Sequence, residues 1–278
     1  MAPSIVSNIA DCMAVKGEIQ FNQTEHRVKL VESWGIEAGS KILEIGCGQG
    51  DTTAVLAYFT GEKGQVHAVD IAGPDYGSPV TLGESRNYLV ASSLGTQIKM
   101  DFQVNVLADT VTFPENHFDY IVFSHASWYL RSAEELSAIL KKSRRWGKQL
   151  CFAEWDAAIQ HVEQQSHLLA VLLQAQYEAF KTDSEANIRS LFTVEDIKDM
   201  AKDAGWNVVK QESIYSPKLK DGEWEVEMAL EFAEKELRQL PEIPGKLEKL
   251  IRSQLRILQR NKETLPIHPL STVALTAR

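Results

Sequence analysis

The chain has 278 residues, 44% hydrophobic and 24% charged, with a formal net charge of −9 at pH 7. This composition is typical of a globular protein, and no apolar run approaches the ~18–20 residues of a membrane span. The negative net charge argues against a nucleic-acid partner, because proteins that bind nucleic acid normally have a basic surface. The N-terminus lacks the basic-then-apolar pattern of a signal peptide, so we expect a cytoplasmic protein without a membrane partner. Three cysteines without metal-ligand spacing predict no disulfide framework and no metal site.

The segment 1–34 is predicted to be helical. Val28, Val31 and Trp34 recur at helical spacing with charged residues between them, and Gly35 ends the pattern. We expect this segment to pack against the flank of the sheet that follows it.

A glycine-rich turn, EIGCGQG, follows the first predicted strand. Ile42, Leu43 and Ile45 form a short apolar run typical of a strand buried in a parallel sheet, and residues 52–59 show the pattern of a helix. Glycines in such a turn remove the Cβ atoms that would keep a ligand off the backbone, and the helix presents unpaired N–H groups. The order of strand, turn and helix therefore predicts a cofactor-binding turn.

Two cofactor classes use such a turn, and position 51 separates them. The dinucleotide fingerprint G-x-G-x-x-G needs a third glycine there, where pyrophosphate meets the helix N-terminus. Asp51 suits the helix dipole but would repel pyrophosphate. The pattern E-x-G-x-G-x-G from Glu44 to Gly50 instead resembles motif I of the class I S-adenosylmethionine (SAM)-dependent methyltransferases, whose ligand carries a sulfonium cation.

The second predicted strand, 64–70, ends in an acid that matches the same family. Asp70 lies 20 residues after Gly50 and can accept hydrogen bonds from both ribose hydroxyls of an adenosine ligand. A third strand is predicted over 101–107, where Asn105 is the candidate adenine contact and Leu107 and Asp109 are alternatives. The resemblance implies that this side of the site binds adenosine.

The fourth strand, 119–124, leads into HASWYL at the edge of the sheet where ligands bind in open α/β folds. His125 can act as the general base that takes a proton from an acceptor hydroxyl or amine, or it can only hold the loop or touch the cofactor. Glu154 follows the fifth strand, 149–153, and can bind a cationic acceptor or orient His125. These two residues are the predicted catalytic pair.

The resemblance implies a Rossmann-like α/β fold with a seven-stranded, mostly parallel sheet, helices on both faces and an antiparallel last strand. The predicted segments are N-terminal lid helices at 1–34, a SAM-binding core at 35–156, a helical cap insertion at 157–191, a continuation of the core at 192–216, a second helical insertion at 217–266 and the last strand at 267–278. The cap insertions favour a small organic acceptor, and a homodimer would form through them.

The resemblance further implies methyl transfer from SAM to an O, N or S atom of a small molecule by in-line displacement, leaving S-adenosylhomocysteine. The predicted cofactor-binding residues are Glu44, Gly46, Cys47, Gly48, Gly50, Asp70, Ile71, Asn105, Val106, Ser124 and His125. The predicted substrate-binding residues are Trp128, Tyr129 and Trp155. Two alternatives remain: an enzyme of this fold that binds SAM and catalyses a rearrangement or cyclisation, and a non-catalytic partner subunit.

Overall fold

The computed structural model describes residues 4–184, 186–240 and 242–278, and it contains one seven-stranded sheet. The strands are β1 Lys41–Ile45, β2 Gln65–Val69, β3 Ile98–Asp101, β4 Phe118–Ser124, β5 Gly147–Trp155, β6 Val208–Ile214 and β7 Thr272–Ala277. Their order in the sheet is β3-β2-β1-β4-β5-β7-β6. Strands β3, β2, β1, β4 and β5, neighbours in that order, run parallel to one another. Strand β7 is antiparallel to both β5 and β6. The predicted sheet with an antiparallel last strand is confirmed.

Helices cover both faces of this sheet. They are α1 Ile5–Ala10, α2 Glu18–Trp34, α3 Asp51–Thr60, α4 Leu82–Val90, α5 Ala133–Ser143, α6 Gln165–Glu178, α7 Val194–Asp203, α8 Asp221–Arg238 and α9 Gly245–Thr264. Helices α2 and α3 bury apolar side chains in one core cluster, and α5 and α7 bury theirs in another. Within the described ranges, no helix combines the length and the apolar character needed to cross a bilayer.

The helices of the two predicted insertions pack on one another. Apolar side chains of α6, α8 and α9, among them Leu173, Leu237 and Ile251, form a separate core cluster. Helix α6 is shorter than the helical segment predicted over 157–191, because it begins only at Gln165 and the described residues 179–184 and 186–193 are irregular. The predicted segments 1–34, 157–191 and 217–266 include residues 1–3, 185 and 241, which lie outside the described part of the chain.

The third strand was predicted wrongly over 101–107, since β3 spans Ile98–Asp101. Gln103 has a φ of +58°, and the Asn105 side chain accepts a hydrogen bond from the Leu107 N–H at 2.9 Å, which makes a turn. Val104 and Val106 supply the alternating apolar pattern of a strand, but they pack against the core from a loop. The chain therefore leaves the sheet at Asp101.

Candidate functional site

The three glycines of the loop after β1 share a left-handed backbone but have different neighbours. Their φ values are +77° at Gly46, +52° at Gly48 and +91° at Gly50. A Cβ on Gly46 would lie 2.6 Å from the Ala126 Cβ, and one on Gly50 would lie 3.0 Å from a side chain of α4. A Cβ on Gly48 would meet no atom within 4 Å. Gly46 and Gly50 thus permit packing within the protein, and Gly48 leaves room for a ligand at the backbone.

Asp70 lies directly beside this loop. Its Oδ2 atom accepts a hydrogen bond from the Gly48 N–H at 2.8 Å, and its Oδ1 atom accepts one from the Ala72 N–H at 2.9 Å. The next residue, Ile71, is 60% exposed although it is a large apolar side chain. A carboxylate, an open glycine and an exposed apolar side chain at the ends of the neighbouring strands β1 and β2 suit the ribose and adenine of an adenosine ligand.

The loop predicted to hold adenine is brought to the same place. The Val104 N–H donates to the Asp70 carbonyl oxygen at 2.9 Å, and the Gln103 N–H donates to the Ala72 carbonyl oxygen at 3.1 Å. Asn105 on this loop is exposed, whereas Val106 is buried in the core.

Glu44 lies beneath the glycine loop and is 2% exposed. Its carboxyl group accepts a hydrogen bond from the Thr53 hydroxyl at 2.5 Å, and burial raises its pKa to about 8. Cys47 is buried as well, and burial raises the pKa of its thiol, which makes it a poor nucleophile. Ser124, also buried, has its hydroxyl 3.4 Å from that of Thr52.

The structure brings His125 and Glu154 together at the ends of β4 and β5. His125 has a φ of +50°, and its Nδ1 atom lies 3.5 Å from Glu154 Oε1. Glu154 is 1% exposed, and its carboxylate accepts hydrogen bonds from the backbone and hydroxyl of Ser127 and from the Trp155 N–H. This carboxylate therefore has a partner for each oxygen and is fixed in position.

The charges of this pair follow from their surroundings. Burial lowers the pKa of His125, despite the opposing effect of the Glu154 carboxylate. Burial alone would raise the pKa of Glu154, but His125, the Ser127 hydroxyl and the Trp155 N–H together lower it. The pair is consequently a neutral imidazole beside an ionised carboxylate near pH 7.

The three predicted substrate-binding residues lie in different surroundings. The Trp155 ring lies 4.4 Å from the His125 ring, measured between centroids, and Tyr129 is 43% exposed. Trp128 is 3% exposed and packs in the core cluster below the sheet edge. The structure therefore brings Trp155 to His125 but places Trp128 away from the surface.

Sequence reasoning missed the contribution of α2. Gln20 donates to Asp51 at 2.7 Å, and the His26 Nε2 atom lies 3.1 Å from His125 Nε2. Arg27 donates from one guanidinium nitrogen to Gln23 at 2.6 Å, and its buried Nε atom has no partner. No carboxylate in the described ranges lies within salt-bridge distance of Arg27. Gln20 and Arg27 lie at helical spacing on the same face as Val31 and Trp34, so polar residues within the buried face of α2 are the signal that could have found them.

Comparisons with known proteins match the chain to methyltransferases. A family described as "Methyltransferase domain" matches residues 19–211. "Methyltransferase phomM'" of Diaporthe leptostromiformis is 26% identical over an alignment of 232 residues, with 70% of this chain and 58% of that protein covered. The chain thus spans little more than half the length of this curated relative.

Solved structures share the fold. A cyclopropane-fatty-acyl-phospholipid synthase-like protein from Lactobacillus casei has a TM-score of 0.87 and 33% sequence identity, with 98% of each chain covered. The [4+2]-cyclase SpnF has a TM-score of 0.52 and 13% identity, with 92% of this chain and 80% of that chain covered. The second likeness shows a common fold alone.

Proposed function

Because the chain belongs to the methyltransferase domain family, we propose that it is a class I SAM-dependent enzyme that methylates an O, N or S atom of a small organic molecule. One observation carries the proposal. The open backbone at Gly48, with Asp70 beside it, and the His125–Glu154 pair lie at the same edge of the sheet, at the ends of neighbouring strands. A site for the methyl donor and a base for the acceptor are thus adjacent.

The cradle residues would hold SAM through complementary chemistry. Asp70 would accept the ribose hydroxyls, Ile71 would cover the adenine, and the Arg27 guanidinium would bind the carboxylate of the amino-acid part. Bound SAM supplies an electrophilic methyl group on a positively charged sulfur. The buried Glu44 fits a cationic ligand, since a cation nearby favours the ionised form of a carboxyl group whose pKa burial has raised to about 8.

The base is His125, and Glu154 is its counter-charge. The lowered pKa keeps the imidazole neutral and able to accept a proton from the acceptor. The fixed carboxylate of Glu154 stabilises the imidazolium that results. The base contributes about 10²–10⁴-fold to the rate, and the remainder comes from holding the acceptor in line.

The cap helices support a small acceptor. Gln23 on α2 donates to Asp221 at the start of α8 at 2.9 Å, so the second insertion is bonded to the helix that carries His26 and Arg27. Helices α2 and α8 are thus joined beside His125, which favours a small acceptor over a protein or nucleic-acid chain.

Calorimetry with SAM, followed by incubation with methyl-labelled SAM and a panel of hydroxy, amine and thiol acceptors, tests the proposal. We expect binding that Asp70→Ala abolishes and the exposed control Glu62→Ala leaves unchanged, and label transfer to one acceptor class. Absence of SAM binding by the intact protein would overturn the proposal. Conversion of a compound without transfer of label would indicate a rearrangement or cyclisation instead.

A further inference from the structure

A connected row of four side chains, from four parts of the fold, passes through the base. The Ser216 hydroxyl, just after β6, lies 3.0 Å from His26 Nδ1. The His26 Nε2 atom lies 3.1 Å from His125 Nε2, and His125 Nδ1 faces Glu154 at 3.5 Å. Ser216, His26 and Glu154 are all buried, with His26 only 1% exposed. Bulk water is therefore kept away from most of this row.

Proton counting assigns every donor in the row. Burial lowers the pKa of both His26 and His125, so each neutral ring carries one N–H. Nδ1 of His125 carries the proton because it faces an ionised carboxylate of Glu154, which leaves a lone pair on Nε2. His26 must then donate from Nε2, and its own Nδ1 accepts the hydroxyl proton of Ser216. The network thus has one consistent direction, from Ser216 to Glu154.

Within the described part of the chain, His125 Nε2 has hydrogen-bond partners, whereas Nδ1 makes no hydrogen bond and faces the Glu154 carboxylate at 3.5 Å. The nitrogen with the lone pair, which a base needs, is the one that faces His26. The Thr272 hydroxyl, at the start of β7, lies 3.5 Å from the same nitrogen. An acceptor can reach this lone pair only by replacing the N–H of His26.

We propose that His26 is a positioning residue for His125: its N–H holds the lone pair of His125 Nε2 in place until the acceptor takes that position. The inference rests on the proposed role of His125 as base. The acceptor X–H bond then breaks, its proton forms a bond to His125 Nε2, and its electron pair remains on X. His26 keeps its proton on Nε2 throughout, and the new positive charge lies beside Glu154.

Three charged groups lie around His125, and a variant at position 26 should leave all of them in place. Glu154 on β5 faces Nδ1, Arg27 on α2 opposes a positive charge, and Asp221 on α8 favours one. His26→Leu leaves these three in place and removes the donor to Nε2, together with the hydrogen bond to Ser216 and the stacking of the ring on Trp155. His26→Gln keeps an amide N–H near the position of the ring N–H. His167, a fully buried histidine that contacts Trp155 but not His125, provides the matched control His167→Leu.

The first experiment uses ¹⁵N-histidine NMR on the intact protein without SAM or acceptor. We expect His125 to be protonated on Nδ1 and His26 on Nε2. A wild-type His26 protonated on Nδ1 instead would overturn the proposal, even if no variant folds. This result is independent of methyl transfer, so failure of the proposed function would not be mistaken for failure of the inference.

The second experiment measures kcat, KM and their pH profiles for the variants. His26→Leu should lower kcat about tenfold or more with a smaller change in KM, since supporting residues commonly contribute 10–100-fold. The acidic limb of the pH profile should move to higher pH by about one unit, because the neutral imidazole of His125 has lost a hydrogen bond and its pKa therefore rises.

His26→Gln should recover most of kcat, and His167→Leu should leave the acidic limb in place. If His26→Gln is folded and as impaired as His26→Leu, His26 only packs and the proposal is wrong.

Discussion

At the scale of single residues, glycines that share a positive φ serve different purposes in the loop after β1. Gly46 and Gly48 both have positive φ, but only Gly46 is pressed against another side chain, that of Ala126. Gly46 therefore determines how the loop docks on the segment after β4. Gly48 determines what can approach the loop from outside.

Alanine substitution should separate these two roles. Gly46→Ala should destabilise the fold by about 2–4 kcal/mol, because it adds a clash with Ala126 to left-handed strain. Gly48→Ala should cost only about 1–2 kcal/mol of strain, but it should weaken SAM binding because its Cβ occupies the ligand space. Thermal unfolding and calorimetry measure the two effects. Equal losses of stability in both variants would contradict the assignment.

Arg27 offers a second test at this scale. Arg27→Met should weaken SAM binding about tenfold or more, since a hydrogen bond to a charged group contributes about 1.5–3 kcal/mol. An analogue of SAM that lacks the carboxylate should bind the wild type and Arg27→Met equally. Lys29→Met, on the exposed side of the same helix, is the control and should leave both affinities unchanged. If Arg27→Met lost the same affinity for SAM and for the analogue, Arg27 would not contact the carboxylate.

At the scale of elements, a partly buried cluster of charges joins the two helical insertions to each other. Lys181, after α6, pairs with Glu178 on α6 and with Glu236 on α8. The Glu178 side chain is only 2% exposed, so Lys181 is the counter-charge of a buried carboxylate. The contact therefore fixes α6 against α8 at the end away from the site.

Lys181→Met should destabilise the protein by about 3 kcal/mol or more in urea unfolding at pH 7, because it leaves a buried carboxylate unpaired. Adding Glu178→Gln should recover part of this loss. Arg145→Met is the control, since Arg145 and its partner Glu115 are both 74% exposed and such pairs contribute little. A similar loss in both single variants would argue against a role for burial.

Features that depend on neighbouring residues could be predicted from the sequence, and those that depend on distant docking could not. The capping box at the start of α7 is of the first kind, because its two side chains, Thr193 and Asp196, lie only three positions apart. The glycine loop and Asp70 were recognisable because their spacing is set by one strand–turn–helix unit. The contact between His26 and His125 joins residues 99 positions apart and depends on how α2 docks. No local pattern encodes that contact.

At the scale of the whole molecule, the cofactor site is built at a cost to stability. Glu44 is buried without a cationic partner, and its pKa is raised from the usual 4.5 to about 8. The folded protein therefore binds one more proton than the unfolded chain between these two values. Its free energy of unfolding must fall as the pH rises through that interval.

Without SAM, wild-type stability should decrease by about 1.4 kcal/mol per pH unit between roughly pH 5 and 8 relative to Glu44→Gln. Glu44→Gln has no titrating group at this position, so its profile should be flatter. The exposed control Glu62→Gln should follow the wild type. Urea unfolding at several pH values measures the slopes, and equal slopes for wild type and Glu44→Gln would show that Glu44 titrates normally.

The position of β7 has a consequence for synthesis on the ribosome. Strand β7 comes after all other strands in the chain, but it lies between β5 and β6, and all six of its residues are buried. During translation, one edge of β5, which includes Glu154, stays unpaired until residues 272–277 emerge. Strand β6 has no neighbouring strand until then. Such an edge invites pairing with other chains, so nascent molecules need protection from aggregation. The Thr272 hydroxyl, within 3.5 Å of both His26 and His125, reaches the two histidines only after synthesis has passed it, so this part of the proposed site is the last to form.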